Sequence, residues 1–154
     1  MAGNLNILIA EAQYYEDIAG DLRKGALEVL QAAGVSHTIV SVPGTFEVPA
    51  AIRFAIRAME LGAASQRYAG FIALGCVVRG ETDHYDHICR EASRALMDIT
   101  INYSVAMGFG ILICETIEQA RVRADPAGRN KGGEAARACL SLIDTKKDLR
   151  LVVR

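Results

Sequence analysis

The sequence predicts an α/β fold: a three-layer α/β/α sandwich built on a four-stranded parallel sheet with helices on both faces. Three observations predict it. Apolar runs of strand length alternate with helix-periodic segments in the order β-α-β-α-β-α-β-α-α. The length of 154 residues suits one domain, residues 1–154, with room for a real core. Polar, aromatic and glycine residues collect just after the apolar runs, where parallel α/β sheets bind ligands.

Each element has its own warrant. Leu5 to Ala10 is a short apolar run. From about Asp17 to Ala33, Ile18, Leu22, Ala26, Leu27 and Leu30 share one helical face, and Gly34 is a natural terminator. Ser36 to Val42 is β-branched and strand-like. Pro43 and Gly44 mark a turn before a helix from Val48 to Leu61, with Pro49 in its first turn. Tyr68 to Val78 reads as the third strand, and a long helix follows from about Asp83 to Tyr103. Met107 to Cys114 is the fourth strand. Thr116 and Gln119 form a capping box, so a helix starts at Ile117 and stops before Pro126. A final helix runs from about Glu134 to Lys147. Right-handed crossovers then restrict the topology of the sheet.

Composition excludes several classes. Net charge is −1 with no long run of either sign, which argues against non-specific nucleic-acid or anionic-membrane binding. No apolar stretch reaches the roughly 18 residues that span a bilayer. The first ten residues lack a basic n-region, so no signal peptide is expected. Cys76, Cys89, Cys114 and Cys139 are far apart with no C-x-x-C pair, and read as buried thiols in a reducing cytoplasm. Aromatic residues make up only 6%, so the core must be mostly aliphatic.

The strand ends carry the chemistry. Gly75 and Gly80 bracket a strand-to-helix turn in which the Gly80, Glu81 and Thr82 amides would leave a helix N-terminus, a setting for a phosphate or simply for a cap. The charges of Glu81 and Asp83 oppose an anion there, unless a cation such as Arg123 or Lys131 outweighs them. His84 and His87 share a helix face. A metal site with Asp83 or Asp86 lacks a third ligand at clear spacing. His84 alternatively serves as a general acid or base, or as a surface histidine. Tyr14 and Tyr15 offer rings for a planar heterocycle, and Phe46 and Phe109, taken as strand-end residues, would wall the same cavity. Glu47 favours a helix start and can accept bonds from polyol hydroxyls.

Four segments carry a resemblance: VPGTFEVP (42–49), GCVVRGETDHYDHI (75–88), FGILICETIEQARVRA (109–124) and NKGGEAA (130–136). Together they resemble the lumazine synthase family over nearly the whole chain. The resemblance implies a flavodoxin-like sheet and the condensation of 5-amino-6-(D-ribitylamino)uracil with 3,4-dihydroxy-2-butanone 4-phosphate. The products would be 6,7-dimethyl-8-ribityllumazine, phosphate and water, the penultimate step of riboflavin biosynthesis. Neither metal nor organic cofactor is implied. His84 aligns with the proton-transfer histidine. Arg123, with the Glu81 and Thr82 amides, aligns with the phosphate site. Tyr14 stands where the family stacks a ring on the pyrimidine. Thr45, Phe46 and Glu47 match the loop holding the ring and ribityl chain, and Cys76, Val77 and Val78 match the segment bonding the uracil edge. Phe109 and Lys131 match positions that complete the pocket.

The family also implies a homo-oligomer, a pentamer with sites between neighbouring subunits, in some members assembled into an icosahedral capsid of sixty subunits. Phe109, Arg123 and Lys131 would then come from one chain, and His84, Tyr14 and Phe46 from the next. The expected setting is cytoplasmic, with small-molecule substrates and neither nucleic acid nor membrane as partner. The chain departs from the family at Gln13-Tyr14-Tyr15, where R-F-N is common, and at Cys76, Cys114 and His87. An alternative keeps the fold but loses catalysis, leaving a flavin or lumazine binder or a shell former. A receiver-type signalling module is a poorer match, because the third strand ends in Gly75-Cys76 rather than in an aspartate.

Overall fold

The computed structural model describes residues 5–80 and 84–151. Its elements in chain order are β1 (Asn6–Ala12), α1 (Glu16–Ala32), β2 (Ser36–Val42), a 3₁₀ turn (Thr45–Glu47), α2 (Val48–Glu60), β3 (Gly70–Val78), α3 (His84–Tyr103), β4 (Met107–Cys114), α4 (Ile117–Ala124) and α5 (Lys131–Asp148). The four strands form one parallel sheet in the order β2-β1-β3-β4. Successive side chains of a strand face opposite sides, and β1 shows it. Ile7 and Ile9 pack with Ile18 and Leu22 of α1, Ala120 of α4 and Ala136 of α5. Leu8 and Ala10 pack with Ile52 of α2 and Leu96 of α3. Three layers result, as the alternation of elements predicts.

Burial rather than local signals holds the helices. Tyr15 precedes α1 without a side-chain cap. An N-cap is worth only about 1 kcal/mol. Ile18, Leu22 and Leu30 are almost fully buried, and each such side chain contributes about 1.5–3 kcal/mol. Gly34, with φ 70°, ends the helix in the left-handed region that glycine tolerates. At α4 the expected cap forms, with its return bond one residue earlier than in a strict capping box: Thr116 Oγ1 accepts from the Gln119 amide at 3.2 Å, and Gln119 Oε1 accepts from the Glu115 amide at 2.9 Å.

Three boundaries differ from expectation, each for a tertiary reason. β1 runs on to Ala12, through Glu11, because that carboxylate is fully buried and ion-paired. α5 starts at Lys131, not near Glu134. Its two glycines discourage a helix locally, but a Cβ at Gly132 would collide with the Leu22 carbonyl of α1, so glycine is what allows the two helices to touch. The 3₁₀ turn at Thr45–Glu47 is too short to show a period. Cys76, Cys114 and Cys139 are buried, whereas Cys89 on α3 is half-buried. Among the described residues no helix is long and apolar enough to cross a membrane.

Candidate active site

The strand order reverses between β1 and β3, and a crevice opens there at the carboxyl ends of the strands. It holds a cavity of about 400 Å³. Tyr14 and Tyr15 line it from the end of β1, and Thr45, Phe46 and Glu47 from the turn after β2. Cys76, Val77 and Val78 supply the β3 wall, and Gly80, His84, Tyr85 and Ile88 the approach to α3.

Register explains why a strand faces this cavity. β1 pairs with β3 only as far as Glu11↔Leu74, while β4 pairs with it up to Cys114 opposite Val78. Past Leu74, β3 therefore presents Gly75 to Val78 with no strand on its β1 side. An unpaired strand edge offers alternating N–H and C=O groups, the partners a lactam-bearing ring needs. Thr45 sits deep beside it at 5% exposure, and its buried hydroxyl has no hydrogen-bond partner among the described residues. A buried, unbonded hydroxyl is costly unless something else bonds it. Gly75 makes room for it, because a Cβ there would lie 2.7 Å from Thr45 Oγ1.

The walls are mostly apolar and aromatic, with Glu47 as the carboxylate and His84 as the histidine among them. Burial, then the neighbouring Cys114 and Asp17, push the Cys76 thiol up to about 12. Burial, with Cys76 and Tyr14, also raises the Tyr15 phenol. Tyr14 stands 73% exposed, touching Tyr15 edge-on at 4.9 Å. Phe46 is also exposed, and its ring stacks on His87 at 6.2 Å and 24°. His87 itself does not line the cavity; it backs the Phe46 ring that does. Helix spacing places it one turn along from His84, but only the fold brings Phe46 over it. His84 is the exposed first residue of α3.

A second cavity of about 420 Å³ lies at the end of β4. Ile111 to Ile113 form its floor, and Arg123, Arg129, Lys131 and Glu134 surround it. Asn130 adopts the left-handed conformation, φ 50°, and its Oδ1 accepts from the Gly133 amide at 3.2 Å, capping α5. That turn sets Arg129 and Lys131 on the same cavity. Arg129 was missed because a cation in a loop carries no periodic signal. Arg123 Nη1 donates to the Ile113 carbonyl at 3.3 Å and to Cys114 Sγ at 3.4 Å, which leaves the rest of its guanidinium for a ligand. Lys131 Nζ meets Glu134 at 3.3 Å. Three cations against one carboxylate suit an anion.

The predicted residues thus divide. Tyr14, Thr45, Phe46, Glu47, Cys76, Val77, Val78 and His84 share the first cavity; Arg123 and Lys131 share the second. Phe109 lines neither. It pairs with Ala73 within β4 rather than ending the strand, and is half-buried against the α2 and α3 side of the core. Glu81 and Thr82, with Asp83, lie outside the described residues. Among those described, no group of three or more His, Cys, Asp or Glu stands close enough to hold a metal ion.

Fold and crevice define a small parallel α/β protein whose ligand cavities sit at the carboxyl ends of its strands. The 6,7-dimethyl-8-ribityllumazine synthase family model matches residues 4–147. A protein of that name from Paramagnetospirillum magneticum is 45% identical, over 94% of this chain and 97% of its own length. Similar relatives, both named 6,7-dimethyl-8-ribityllumazine synthase 1, come from Rhizobium meliloti, at 48% over 94% of each chain, and Rhodopseudomonas palustris, at 47% over 93% of this chain and 86% of its own. The chain belongs to the 6,7-dimethyl-8-ribityllumazine synthase family.

Proposed function

We propose that the protein condenses 5-amino-6-(D-ribitylamino)uracil with 3,4-dihydroxy-2-butanone 4-phosphate to 6,7-dimethyl-8-ribityllumazine, releasing phosphate and water. The observation that carries this is one cavity joining a free strand edge, an unpartnered buried hydroxyl, exposed aromatic rings and a helix-terminal histidine. The uracil edge bonds the β3 segment Cys76 to Val78, its face stacks on Tyr14, and Thr45 and Glu47 take ring and ribityl hydroxyls. Phe46 closes the ring side.

The phosphate of the second substrate lies on Arg123 and Lys131, with the Glu81 and Thr82 amides as further donors. The 5-amino group attacks the ketone and water leaves to give a Schiff base; phosphate is eliminated to give an enol that becomes a ketone, the second amine attacks that ketone, and loss of a second water completes the ring. His84 carries protons between these steps. A positioned general acid–base is worth about 10²–10⁴ in rate, and holding two reactants together removes much of the entropic barrier.

Within one chain the ring-binding and cation-rich cavities have separate linings. That separation supports sites shared by neighbouring subunits, with Phe109, Arg123 and Lys131 given by one chain to the next. Phe54 on α2 and Met97 and Ile101 on α3 are strongly exposed apolar side chains, which supports a homo-oligomer, a pentamer with the option of a larger icosahedral shell. Unpaired cysteines fit a cytoplasmic setting.

The test is turnover. Purified protein mixed with both substrates should form lumazine, followed by absorbance, with phosphate released in equal amount. Lumazine binding without product above the uncatalysed background would leave a binder of the same fold instead.

A further inference from the structure

Glu11 is a carboxylate in the wrong place for stability alone. It lies in the middle layer at 0% exposure. A buried ion pair recovers little more than its own desolvation cost, and an apolar residue there is often as stable. Yet three donors converge on Glu11 Oε1: Gln13 Nε2 at 2.7 Å, Arg23 Nη1 at 2.8 Å and Ser41 Oγ at 2.9 Å. Its Oε2 is buried with no hydrogen-bond partner among the described residues. The three donors come from three places: the end of β1, helix α1 and strand β2.

What they hold in common is the mouth of the ring cavity. Gln13 is the last residue before Tyr14, and its amide also donates to the Val42 carbonyl at 2.9 Å. Ser41 and Val42 lead into the turn that carries Thr45, Phe46 and Glu47. Tyr14 itself is mostly solvent-exposed, so little packing fixes its ring. Its placement depends on the backbone of the Gln13–Tyr15 turn, and Tyr15 adds no side-chain cap to α1. A loose stacking ring would have to be ordered by each ligand at the expense of affinity.

We propose that Glu11 is a positioning residue: through Gln13 and Ser41 it sets Tyr14 opposite the Thr45–Glu47 wall, ready to stack on the pyrimidine. The inference rests on the reading above that Tyr14 stacks on that ring. It concerns the ring substrate alone, because no member of this network lines the cation-rich cavity.

The probe is 6,7-dimethyl-8-ribityllumazine, whose binding is followed by its fluorescence, together with steady-state kinetics for each substrate. Gln13→Ala removes one link and leaves the Glu11–Arg23 pair intact, so it keeps the fold. It should weaken lumazine binding and raise KM for the pyrimidine about 10-fold, with KM for the butanone phosphate and kcat within about twofold. Glu11→Gln should do the same, and the double variant should be no worse than Glu11→Gln alone, since both act through one path. Gln13→Arg, which again offers Glu11 a donor, should recover the affinity. Native lumazine affinity in Gln13→Ala would overturn the proposal, as would an equal rise in both KM values. So would a lowered urea midpoint with unchanged kinetics, the mark of a merely structural role. A wild-type protein that neither binds the probe nor turns over would instead overturn the functional reading, and this inference with it.

Discussion

The two cavities differ as two reagent bottles do. One is walled by rings, a bare strand edge, Glu47 and His84; the other is ringed by Arg123, Arg129 and Lys131 against a single carboxylate. The first sits where β1 and β3 diverge and is made by register. The second sits at the edge strand β4 and is made by the left-handed Asn130 turn and the short helix before it. The difference teaches that a flat neutral ligand and an anion are recognised by unrelated devices. A reaction between them requires that the devices be brought face to face.

The sharpest way to break this comparison is at His84, the one proposed proton carrier. His84→Ala should lower kcat by about 10²–10³, with lumazine affinity near normal. Full turnover would remove the assignment. Arg123→Ala should act on the other side only, raising KM for the butanone phosphate roughly 10–100-fold and leaving the pyrimidine KM alone, since a charge-assisted contact to phosphate is lost. An unchanged KM for the phosphate substrate would reject the role.

Combining the two variants tests how the cavities meet. If a site takes His84 from one chain and Arg123 from its neighbour, co-refolding His84→Ala with Arg123→Ala should restore roughly a quarter of native activity, the share expected from random pairing of subunits. If both residues serve from the same chain, the mixture stays as inactive as its parts.

The smallest effect concerns the buried thiol of the ring cavity. Cys76 ionises near 9 when unfolded but only at about 12 in the folded protein. The unfolded chain therefore releases its proton first, so stability is intact below pH 9 and falls between pH 9 and 12. At pH 10 the loss should be roughly 1 kcal/mol or less for this thiol. Urea midpoints measured at pH 8 and pH 10 should differ less in Cys76→Ala than in wild type. An identical pH dependence in the two proteins would contradict the burial of this thiol.

Much of the molecule was legible beforehand. The four strands, the cap at Thr116 and the helical faces of Ile18, Leu22 and Leu30 follow from local pattern, because periodicity and caps are properties of neighbouring residues. Their order implies the layers. Strand ends in such sheets are predictable positions, and Tyr14, Thr45, Phe46, Glu47, Cys76, Val77, Val78 and His84, all expected there, line one cavity. Where reading failed, the cause lay far along the chain. Glu11 looked like the end of a strand until Arg23 and Ser41 surrounded it. Gly132 and Gly133 looked like a loop until α1 came close enough to need them. Phe109, expected at a strand end, pairs with Ala73 inside β4 and packs on the α2 and α3 side of its own chain.

By itself, the sequence determined the elements, their parallel arrangement and the family, all of which rest on short-range spacing and on motifs that survive as strings. Only the tertiary structure decided that β3 outruns β1, that Thr45 finds no hydrogen-bond partner among the described residues, and that the aromatic and the cationic groups occupy separate cavities. Those facts depend on distances between segments tens of residues apart. Packing and register set such distances, and no local preference encodes them.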